Sequence, residues 1–484
     1  MPQLAHHNTL IIMNDEHARD GVSCYGGVAQ TPNIDRLAAL GTRFENAYTP
    51  SPICVPARAA FQSGRYVYQN HCWSNAEAYS GTPPGWGHRL QEEGCETVSI
   101  GKLHYRSTED NNGFSRELEP LHVRDGEGWV FGLLRRQDHT PYDTGGFAKH
   151  IGPGEDGYSD YDRRVRDRAV RWLKTEGAAK RDKPWTLFVS FLRPHYPLSC
   201  PKQYFEMYDP ERIPKARYAG YKTEFRHPVL NAFRSYFNYD DHFDDAQRQI
   251  ARASYFGLCS FVDDLIGDVL GALEERGSLQ DTNVLFVSDH GELNGHHGLW
   301  TKMTMHEHSA GIPMILTGPG MPVGVCKTQA SLIDVHQTVL ESAGIGETRE
   351  DQDLSGKSLF KLATSPDDLG RAVLSEYHDG GSITGYMMIR EGKWKYIAYA
   401  GFAPQLFDLE ADPYEVNDLG LREEFEPIRH HLHSRLCREF GDPEVINEAA
   451  FSDQAERIKA LGGVDGIHGR DNFDHTPVEA DKRE

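Results

Sequence analysis

The sequence is poor in cysteine, and its cysteines lack the spacing of a metal or redox motif. The eight cysteines among 484 residues form no CxxC pair, which argues against a zinc ribbon or a thioredoxin-like motif. No apolar run approaches the ~18 residues of a membrane-spanning helix. The N-terminal stretch has neither the basic region nor the long apolar core of a signal peptide. These absences predict a reduced, cytoplasmic protein with no membrane partner.

Positive charge is scarce as well. Lysine and arginine together number 51 against 72 aspartates and glutamates, giving a formal net charge of -21. An acidic surface repels nucleic acid and anionic membranes, so neither is expected as a partner. A local basic pocket for a small anion is compatible with this balance.

Strand-like and helical patterns alternate over the first two thirds of the chain, which predicts an α/β fold with a mostly parallel central sheet between helices. The length exceeds the ~250–300 residues of a single core, so a smaller second unit is expected. Short strand-like pieces after residue 365 indicate a small antiparallel sheet. The predicted division is a catalytic α/β domain over 1–365, a small antiparallel subdomain over 366–425, and a C-terminal helix with an extended tail over 426–484.

Four predicted strands end on chemically active residues, and the carboxyl ends of parallel strands meet at one edge of a sheet. These residues are Asp15 and Glu16, Lys102 with His104, His195, and Asp289 with His290. A single aspartate there is more often a helix cap, but four such ends together favour a site. Asp15, Asp289 and His290 could bind a divalent cation, and the basic residues suit an anionic substrate.

Cys54 lies in a Pro-rich turn four residues before Arg58. It could be a buried small hydrophobe, a metal-bound thiolate, or a nucleophile activated by Arg58. None of these interpretations accounts for Pro56.

The stretch CVPAR, residues 54–58, resembles the maturation motif of the type I sulfatases in the alkaline phosphatase superfamily. Other segments are similar to elements of the same family and follow in the same order, from about residue 8 to residue 420. They are TPNIDRLAALGTRFENAYTPSPICVPAR, GKLH (101–104), PHYP (194–197), SDHGELNGHHGLWTK (288–302), DLSGKSLF (353–360) and QLFDLEADPYEVNDL.

This resemblance implies that a formylglycine-generating enzyme oxidises Cys54 to an aldehyde, which hydrates to a geminal diol. One diol oxygen, held on the cation, then attacks sulfur and gives a covalent sulfo-enzyme. The second hydroxyl collapses to the aldehyde and expels inorganic sulfate. A serine or an unmodified cysteine lacks that second hydroxyl.

The resemblance also implies a role for each matched residue. Asp15, Asp289, His290 and modified Cys54 would hold the cation, and Arg58 would stabilise the diol. Lys102 and Lys302 would contact the sulfate oxygens, with Asn75 as a further contact. His104 would act as base on the diol and His195 as acid toward the leaving oxygen. Alternatively, Lys302 is a surface lysine, and Asn75 and His195 are turn residues.

The sequence departs from many arylsulfatases at two pairs, Asp15-Glu16 and Asp289-His290, where they carry Asp-Asp and Asp-Asn. The Asp-His pair is closer to the branch of phosphonate monoester hydrolases and choline sulfatases. An imidazole ligand moves metal preference from Ca²⁺ toward Mn²⁺, so either ion is a candidate. The sequence leaves open whether Glu16 is a ligand.

The predicted function is hydrolysis of a small organic sulfate monoester, with a phosphonate monoester or phosphodiester hydrolase as the alternative. An unmodified Cys54 would instead leave a metal-binding scaffold with a regulatory role. A scaffold needs none of Lys102, His104, His195 and Lys302, so their presence together argues against it. The irregular stretches 105–160 and 200–245 are expected to form the walls of the pocket. A homo-oligomer is expected.

Overall fold

The structure is a computed structural model that describes residues 6–136, 141–217, 227–239, 242–349, 351–473 and 475–478. The strands among these residues are β1 (Asn8–Asp15), β2 (Thr42–Phe44), β3 (Ala47–Tyr48), β4 (Glu96–Lys102), β5 (Arg116–Leu121), β6 (Ile151–Pro153), β7 (Trp185–Pro194), β8 (Leu198–Cys200), β9 (Thr282–Ser288), β10 (Met314–Thr317), β11 (Gly324–Cys326), β12 (Ala330–Ser331), β13 (Ala372–Tyr377), β14 (Tyr386–Glu391), β15 (Trp394–Tyr399) and β16 (Gln405–Asp408).

The α-helices of the described residues lie mainly between these strands. They are α1 (Pro32–Leu40), α2 (Cys54–Ser63), α3 (Val67–Asn70), α4 (Trp86–Glu92), α5 (Gly145–Lys149), α6 (Gly157–Lys174), α7 (Lys202–Phe205), α8 (Pro228–Tyr236), α9 (Asp245–Glu274), α10 (Glu307–Ala310), α11 (Asp334–Ser342), α12 (Leu359–Thr364), α13 (Glu426–Glu439), α14 (Pro443–Ala460) and α15 (Gly463–His468). In the described part of the chain, no helix combines the length and apolarity needed to cross a membrane.

The central sheet has eight strands in the order β11-β2-β10-β9-β1-β7-β4-β5. Its core, from β9 through β1, β7 and β4 to β5, is parallel, whereas β10 runs antiparallel to both of its neighbours. The predicted mostly parallel sheet is therefore confirmed, as a mixed sheet. The four predicted strands that end on candidate site residues are β1, β4, β7 and β9.

β1 shows why its sequence forms a strand at the centre of this sheet. Leu10 and Ile12 pack with side chains of α6 and α9 on one face. Ile11 and Met13 pack with side chains of α2, α4 and α11 on the other face. A strand covered by helices on both faces buries every side chain, so it is a continuous apolar run rather than an alternating one.

The second sheet is antiparallel, in the order β13-β14-β15-β16, as predicted for the region after residue 365. One face packs on α13, where Ile389 and Tyr396 meet Leu436. Met388 and Ile397 point to the other face and join the core beneath the segment that carries Trp300. The small sheet thus shares a hydrophobic core with α8 and α9.

The C-terminal region contains more structure than the sequence analysis predicted. The helix expected near 427–440 is α13, but α14 and α15 follow it. The expected extended tail does not project into solvent, because Val478 is 1% exposed and packs in the core of the α6 face. Residues 479–484, also assigned to that tail, lie outside the described residues.

Candidate active site

The strand ends converge at the carboxyl edge of the central sheet. Asp15 ends β1 and Lys102 ends β4, while Asp289 directly follows β9. The side chains of all three are almost completely buried. Cys54 is the first residue of α2 and is only 2% exposed. The strand ends therefore meet at one edge of the sheet, as predicted from the sequence, and Cys54 lies beside that edge.

Four side chains form a donor set suited to one divalent cation. One ligand atom from each of Asp15, Cys54, Asp289 and His290 lies within 4.8 Å of the others. Nε2 of His290 lies 3.2 Å from Sγ of Cys54 and 3.5 Å from Oδ1 of Asp15. Nδ1 of His290 donates to the carbonyl oxygen of Gly291 at 3.0 Å, so Nε2 of the neutral ring has its lone pair free for a metal. This set fits the cation implied by the family resemblance.

Two cationic side chains hold the carboxylates of this set. Lys102 pairs with Asp15, and Nε of Arg58 donates to Oδ2 of Asp289 at 2.7 Å. Burial alone would raise the pKa of Asp15, but the charge of Lys102, helped by that of Arg58, holds it well below its usual range. Asp15 is thus ionised without a metal.

Arg58 is fixed by further contacts behind the donor set. Its Nη1 donates to the carbonyl oxygen of Lys102 at 2.8 Å and to Oγ of Ser190 at 2.9 Å. Its Nη2 has no hydrogen-bond partner among the described residues and lies 4.0 Å from Asp15. The guanidinium therefore keeps a donor available at the site.

The environment of Cys54 disfavours a simple thiolate. Burial, with the charge of Asp15 as a smaller contribution, raises the pKa of Cys54 to about 12. An unmodified thiol in this position is neutral, and a neutral thiol is a poor nucleophile. This weakens the interpretation of Cys54 as a nucleophile activated by Arg58.

His195 and Lys302 both line the cavity and contact each other there. Nζ of Lys302 lies 2.8 Å from Nε2 of His195. Nδ1 of His195 donates to the carbonyl oxygen of Tyr196 at 2.5 Å, which leaves Nε2 to accept from Lys302. Burial and then the charge of Lys302 hold the pKa of His195 well below its usual value, so the ring is neutral before an anion binds. Lys302 is 2% exposed, which excludes the interpretation as a surface lysine.

His104 and Asn75 complete the set of residues singled out from the sequence. Nε2 of His104 lies 2.9 Å from Oγ1 of Thr476. Oδ1 of Asn75 accepts from the backbone N–H of Val55 at 3.1 Å. Both residues line the same cavity as Cys54.

A cavity lies in front of Cys54, which is one of its lining residues. Lys102 and Lys302 line it together with Cys54, and its walls are rich in aromatic side chains. The wall residues include Trp129, Tyr142, Tyr158, Tyr196, Phe237, Tyr239 and Phe473. Among the described lining residues none is an aspartate or a glutamate. The expectation that stretches 105–160 and 200–245 contribute to the pocket walls is confirmed in part, by Val123, Gly128, Trp129, Tyr142, Tyr158, Phe237 and Tyr239. Residues 137–140, 218–226 and 240–241 of these stretches lie outside the described residues.

A second histidine cluster lies outside this site. Nε2 of His296 and of His308 lie 3.7 Å and 4.0 Å from Oδ2 of Asp20, and the two rings stack at 3.8 Å. The backbone N–H of Arg217 donates to Nδ1 of His296, so the neutral ring carries its proton on Nε2, facing Asp20. That tautomer is the wrong one for a metal ligand.

The sequence analysis missed the contribution of the C-terminal segment. The carbonyl oxygen of Thr476 accepts from the Tyr158 hydroxyl at 2.8 Å, and that of Phe473 accepts from the Tyr142 hydroxyl at 3.2 Å. Arg124 lies over the Phe473 ring at 5.2 Å. The polar composition of this segment gave no indication that it packs on the protein. Its isolated phenylalanine and valine were the one signal that could have predicted burial.

A mostly parallel α/β fold, with a buried set of candidate cation ligands, a cysteine at a helix start and lysines lining the cavity, is typical of a hydrolase of the alkaline phosphatase superfamily. Residues 7–345 match the family model described as Sulfatase, and residues 295–440 match the model described as N-sulphoglucosamine sulphohydrolase, C-terminal. The chain belongs to the sulfatase family and is a sulfatase enzyme.

Named relatives and solved structures agree with this assignment. The chain is 31% identical over 424 residues to a choline-sulfatase of Rhizobium meliloti, covering 85% of this chain and 82% of the relative. It is 31% identical over 485 residues to arylsulfatase K of Bos taurus, covering 93% of this chain and 85% of the relative. The structure of a phosphonate monoester hydrolase of Agrobacterium radiobacter is similar in fold, with a TM-score of 0.71 at 23% identity, covering 90% of this chain and 95% of that one.

Proposed function

We propose that this sulfatase hydrolyses a small organic sulfate monoester after Cys54 has been converted to formylglycine. Asp15, Asp289, His290 and the modified residue 54 would bind one divalent cation, Mn²⁺ or Ca²⁺. One observation carries the proposal: the Sγ atom of the buried, neutral Cys54 lies 3.2 Å from Nε2 of His290. Both lie beside the carboxylate of Asp15, which Lys102 keeps ionised. When bound, the cation would supply Lewis acidity and neutralise charge at the reacting centre.

The residues of this chain then have separable tasks. Lys102 and Lys302 line the pocket and would hold sulfate oxygens, and Arg58 has a free Nη2 to direct at residue 54. His104 would take a proton from residue 54 during sulfate release. His195 would give one to the leaving oxygen, after the negative charge of a bound sulfate has favoured its protonated form.

The walls of the cavity limit the alcohol portion of the substrate. A cavity whose walls are rich in aromatic side chains suits an alcohol portion with an apolar or cationic surface. The names of two relatives, choline-sulfatase and arylsulfatase K, point to choline sulfate and aryl sulfates as substrates to test first.

The charge of the pocket favours sulfate esters over phosphate monoesters. A dication with Lys102, Lys302 and Arg58, set against Asp15, Asp289 and an ionised residue 54, leaves a small positive surplus. The cost of removing an anion from water rises steeply with its charge, so a surplus this small favours a monoanion over a dianion. Phosphonate monoesters and phosphodiesters are also monoanions, and the likeness in fold to phosphonate monoester hydrolases keeps that activity as the second candidate.

The experiment is a comparison of kcat/KM for nitrophenyl sulfate, nitrophenyl phenylphosphonate, a nitrophenyl diester and nitrophenyl phosphate. This ratio reports transition-state stabilisation for each reaction. We expect the sulfate to be hydrolysed fastest and the phosphate monoester slowest. A phenylphosphonate that outruns the sulfate by tenfold or more would replace the first candidate by the second.

We propose a cytoplasmic location for this protein. All eight cysteines are free thiols, which fits the cytoplasmic location predicted above. Maturation by a formylglycine-generating enzyme needs the chain before α2 is buried, since Cys54 is inaccessible in the folded protein. A homo-oligomer stays a prediction.

A further inference from the structure

The residue after β1, Glu16, is fully buried and has no task in the chemistry described above. Its φ of 65° lies in the left-handed region, which residues with a side chain rarely adopt. Its N–H donates to Oδ1 of Asp289 at 3.1 Å, and its carbonyl oxygen accepts from the hydroxyl of Tyr255 at 2.9 Å. Backbone strain of this kind persists where surrounding contacts enforce it, often at functional sites.

This backbone directs the carboxyl group of Glu16 toward Lys302 and His195. Oε2 of Glu16 lies 2.8 Å from Nζ of Lys302 and 3.2 Å from Nε2 of His195. Nζ of Lys302 thus lies within hydrogen-bond distance of both acceptors. A lysine ammonium has three donors, so two are engaged by the protein and one is left for a ligand.

Glu16 stands behind these two residues rather than in the cavity. Lys302 and His195 line the cavity, whereas Glu16 is absent from its described lining and is 0% exposed. Glu16 therefore acts on a bound molecule through its neighbours.

A role as metal ligand fits these contacts poorly. One atom each from Asp15, Glu16 and His195 also lies within 4.8 Å of the others. A cation placed there would have to displace the ammonium of Lys302, which already bridges Glu16 and His195. His290, by contrast, presents a free lone pair toward Cys54 and Asp15, so the cation has a better donor set nearby.

We propose that Glu16 is a positioning residue, not a ligand of the cation: its carboxyl group holds the Lys302 ammonium in place at the cavity, so that a free N–H of Lys302 meets the sulfate group. This inference rests on the proposed function. Without an acceptor at position 16, a buried ammonium would lose a partner in a dry site, which is costly. It would then be drawn from the position that faces the substrate.

The test compares Glu16→Leu, which has no acceptor, with the wild type. We expect kcat/KM for nitrophenyl sulfate to fall about 10–100-fold, the range found when a supporting hydrogen-bond partner is removed. Mn²⁺ affinity of the same protein, measured by electron paramagnetic resonance of the free ion, should stay within about threefold of the wild-type value. Asp289→Asn is the matched control, and should weaken Mn²⁺ binding by more than tenfold.

A double mutant separates positioning from a general structural effect. If Glu16 acts through Lys302, adding Glu16→Leu to Lys302→Met should change kcat/KM by less than about threefold, because the partner is already gone. Fully additive losses, unchanged activity in Glu16→Leu, or a tenfold loss of Mn²⁺ affinity would each overturn the proposal.

Wild-type crystals grown with Mn²⁺ and inorganic sulfate provide a measurement that no folding defect can obscure. The anomalous signal locates the ion, and a Glu16 oxygen within metal-ligand distance of about 2.0–2.6 Å would overturn the proposal. Lys302 bridging Glu16 and the sulfate ion, with the metal elsewhere, supports it. A wild-type enzyme without activity on any sulfate ester would refute the proposed function, while the crystals and Mn²⁺ affinities would still decide the role of Glu16.

Discussion

Nε2 of His104 lies 2.9 Å from Oγ1 of Thr476, although 372 positions separate the two residues in the chain. A segment close to the C-terminus therefore touches a histidine that lines the same cavity as Cys54. The contact makes the last described residues part of the active-site wall.

Removing this segment should impair catalysis. A chain ending at Arg470 loses Phe473 and Thr476 from the cavity wall, together with the buried Val478. We expect kcat/KM for small sulfate esters to fall at least tenfold, because water enters the site and His104 loses a partner. A chain ending at Val478 is the matched control and should keep wild-type activity. Equal activity of both truncated chains in steady-state assays would show that the segment is dispensable.

Conversion of Cys54 should be visible in its peptide mass. Oxidation of the thiol to the aldehyde lowers the mass by about 18 Da and makes the peptide reactive toward hydrazides. Cys54→Ala should abolish turnover while leaving the thermal unfolding transition close to that of the wild type, because the change is small. Active protein whose Cys54 peptide carries only a free thiol would rule this modification out.

The role of His195 as proton donor predicts a dependence on the leaving group. His195→Ala should slow the hydrolysis of alkyl sulfates far more than that of nitrophenyl sulfate, since nitrophenolate leaves without protonation. General acid catalysis contributes about 10²–10⁴-fold, so the difference in kcat/KM between the two classes should be large. The same loss for both substrates would indicate a role in binding instead.

The imidazole of His290 should set the choice of metal. Chelation should inactivate the enzyme, and Mn²⁺ should restore more activity than Ca²⁺, because an imidazole ligand suits the softer ion. His290→Asn replaces the nitrogen ligand by an oxygen and should move the preference toward Ca²⁺. Reconstitution of metal-free protein with each ion measures this. An unchanged Mn²⁺ to Ca²⁺ activity ratio in the variant would place His290 outside the coordination shell.

His17 should make the protein less stable in mild acid. Burial lowers the pKa of His17 to about 4, and Nδ1 faces the amide nitrogen of Asn14 at 2.8 Å while Nε2 faces the carbonyl oxygen of Gly21 at 2.8 Å. The folded state thus resists protonation that the unfolded chain accepts near pH 6.5. The neutral His17 therefore contributes fully to the free energy of unfolding above pH 6.5, and this contribution is lost as the pH falls toward 4.

Urea unfolding at pH 7.5 and pH 5.0 measures this contribution. The free energy of unfolding should be lower at pH 5.0 by about 2 kcal/mol through His17 alone, from 1.36 kcal/mol for each unit of pKa shift. His17→Gln should lack this part of the pH dependence. Comparing the two proteins cancels the opposite effect of buried acids such as Asp162, whose pKa burial raises to about 7. An identical drop in both would contradict the prediction.

Local sequence determined the strands and the residues at their ends. The run from Asn8 to Asp15 is apolar at its centre because both faces of β1 are covered. A pattern of that kind can be recognised from the sequence alone. The same reasoning located Lys102, His195 and Asp289, since the carboxyl ends of parallel strands must share an edge. Motif spacing added Cys54 and Arg58.

The tertiary structure decided what depends on contacts between distant segments. Whether Glu16 faces the cation site or Lys302 follows from a left-handed backbone and from partners more than 170 positions away, which no local pattern encodes. Thr476 reaches His104 only because three helices after residue 425 return the chain to the pocket. The protonation of Cys54 likewise depends on burial and on neighbouring charges. The sequence thus determined which chemical groups this protein has at the sheet edge, and folding determined which of them touch, because hydrogen bonds and desolvation act over a few ångströms in space rather than along the chain.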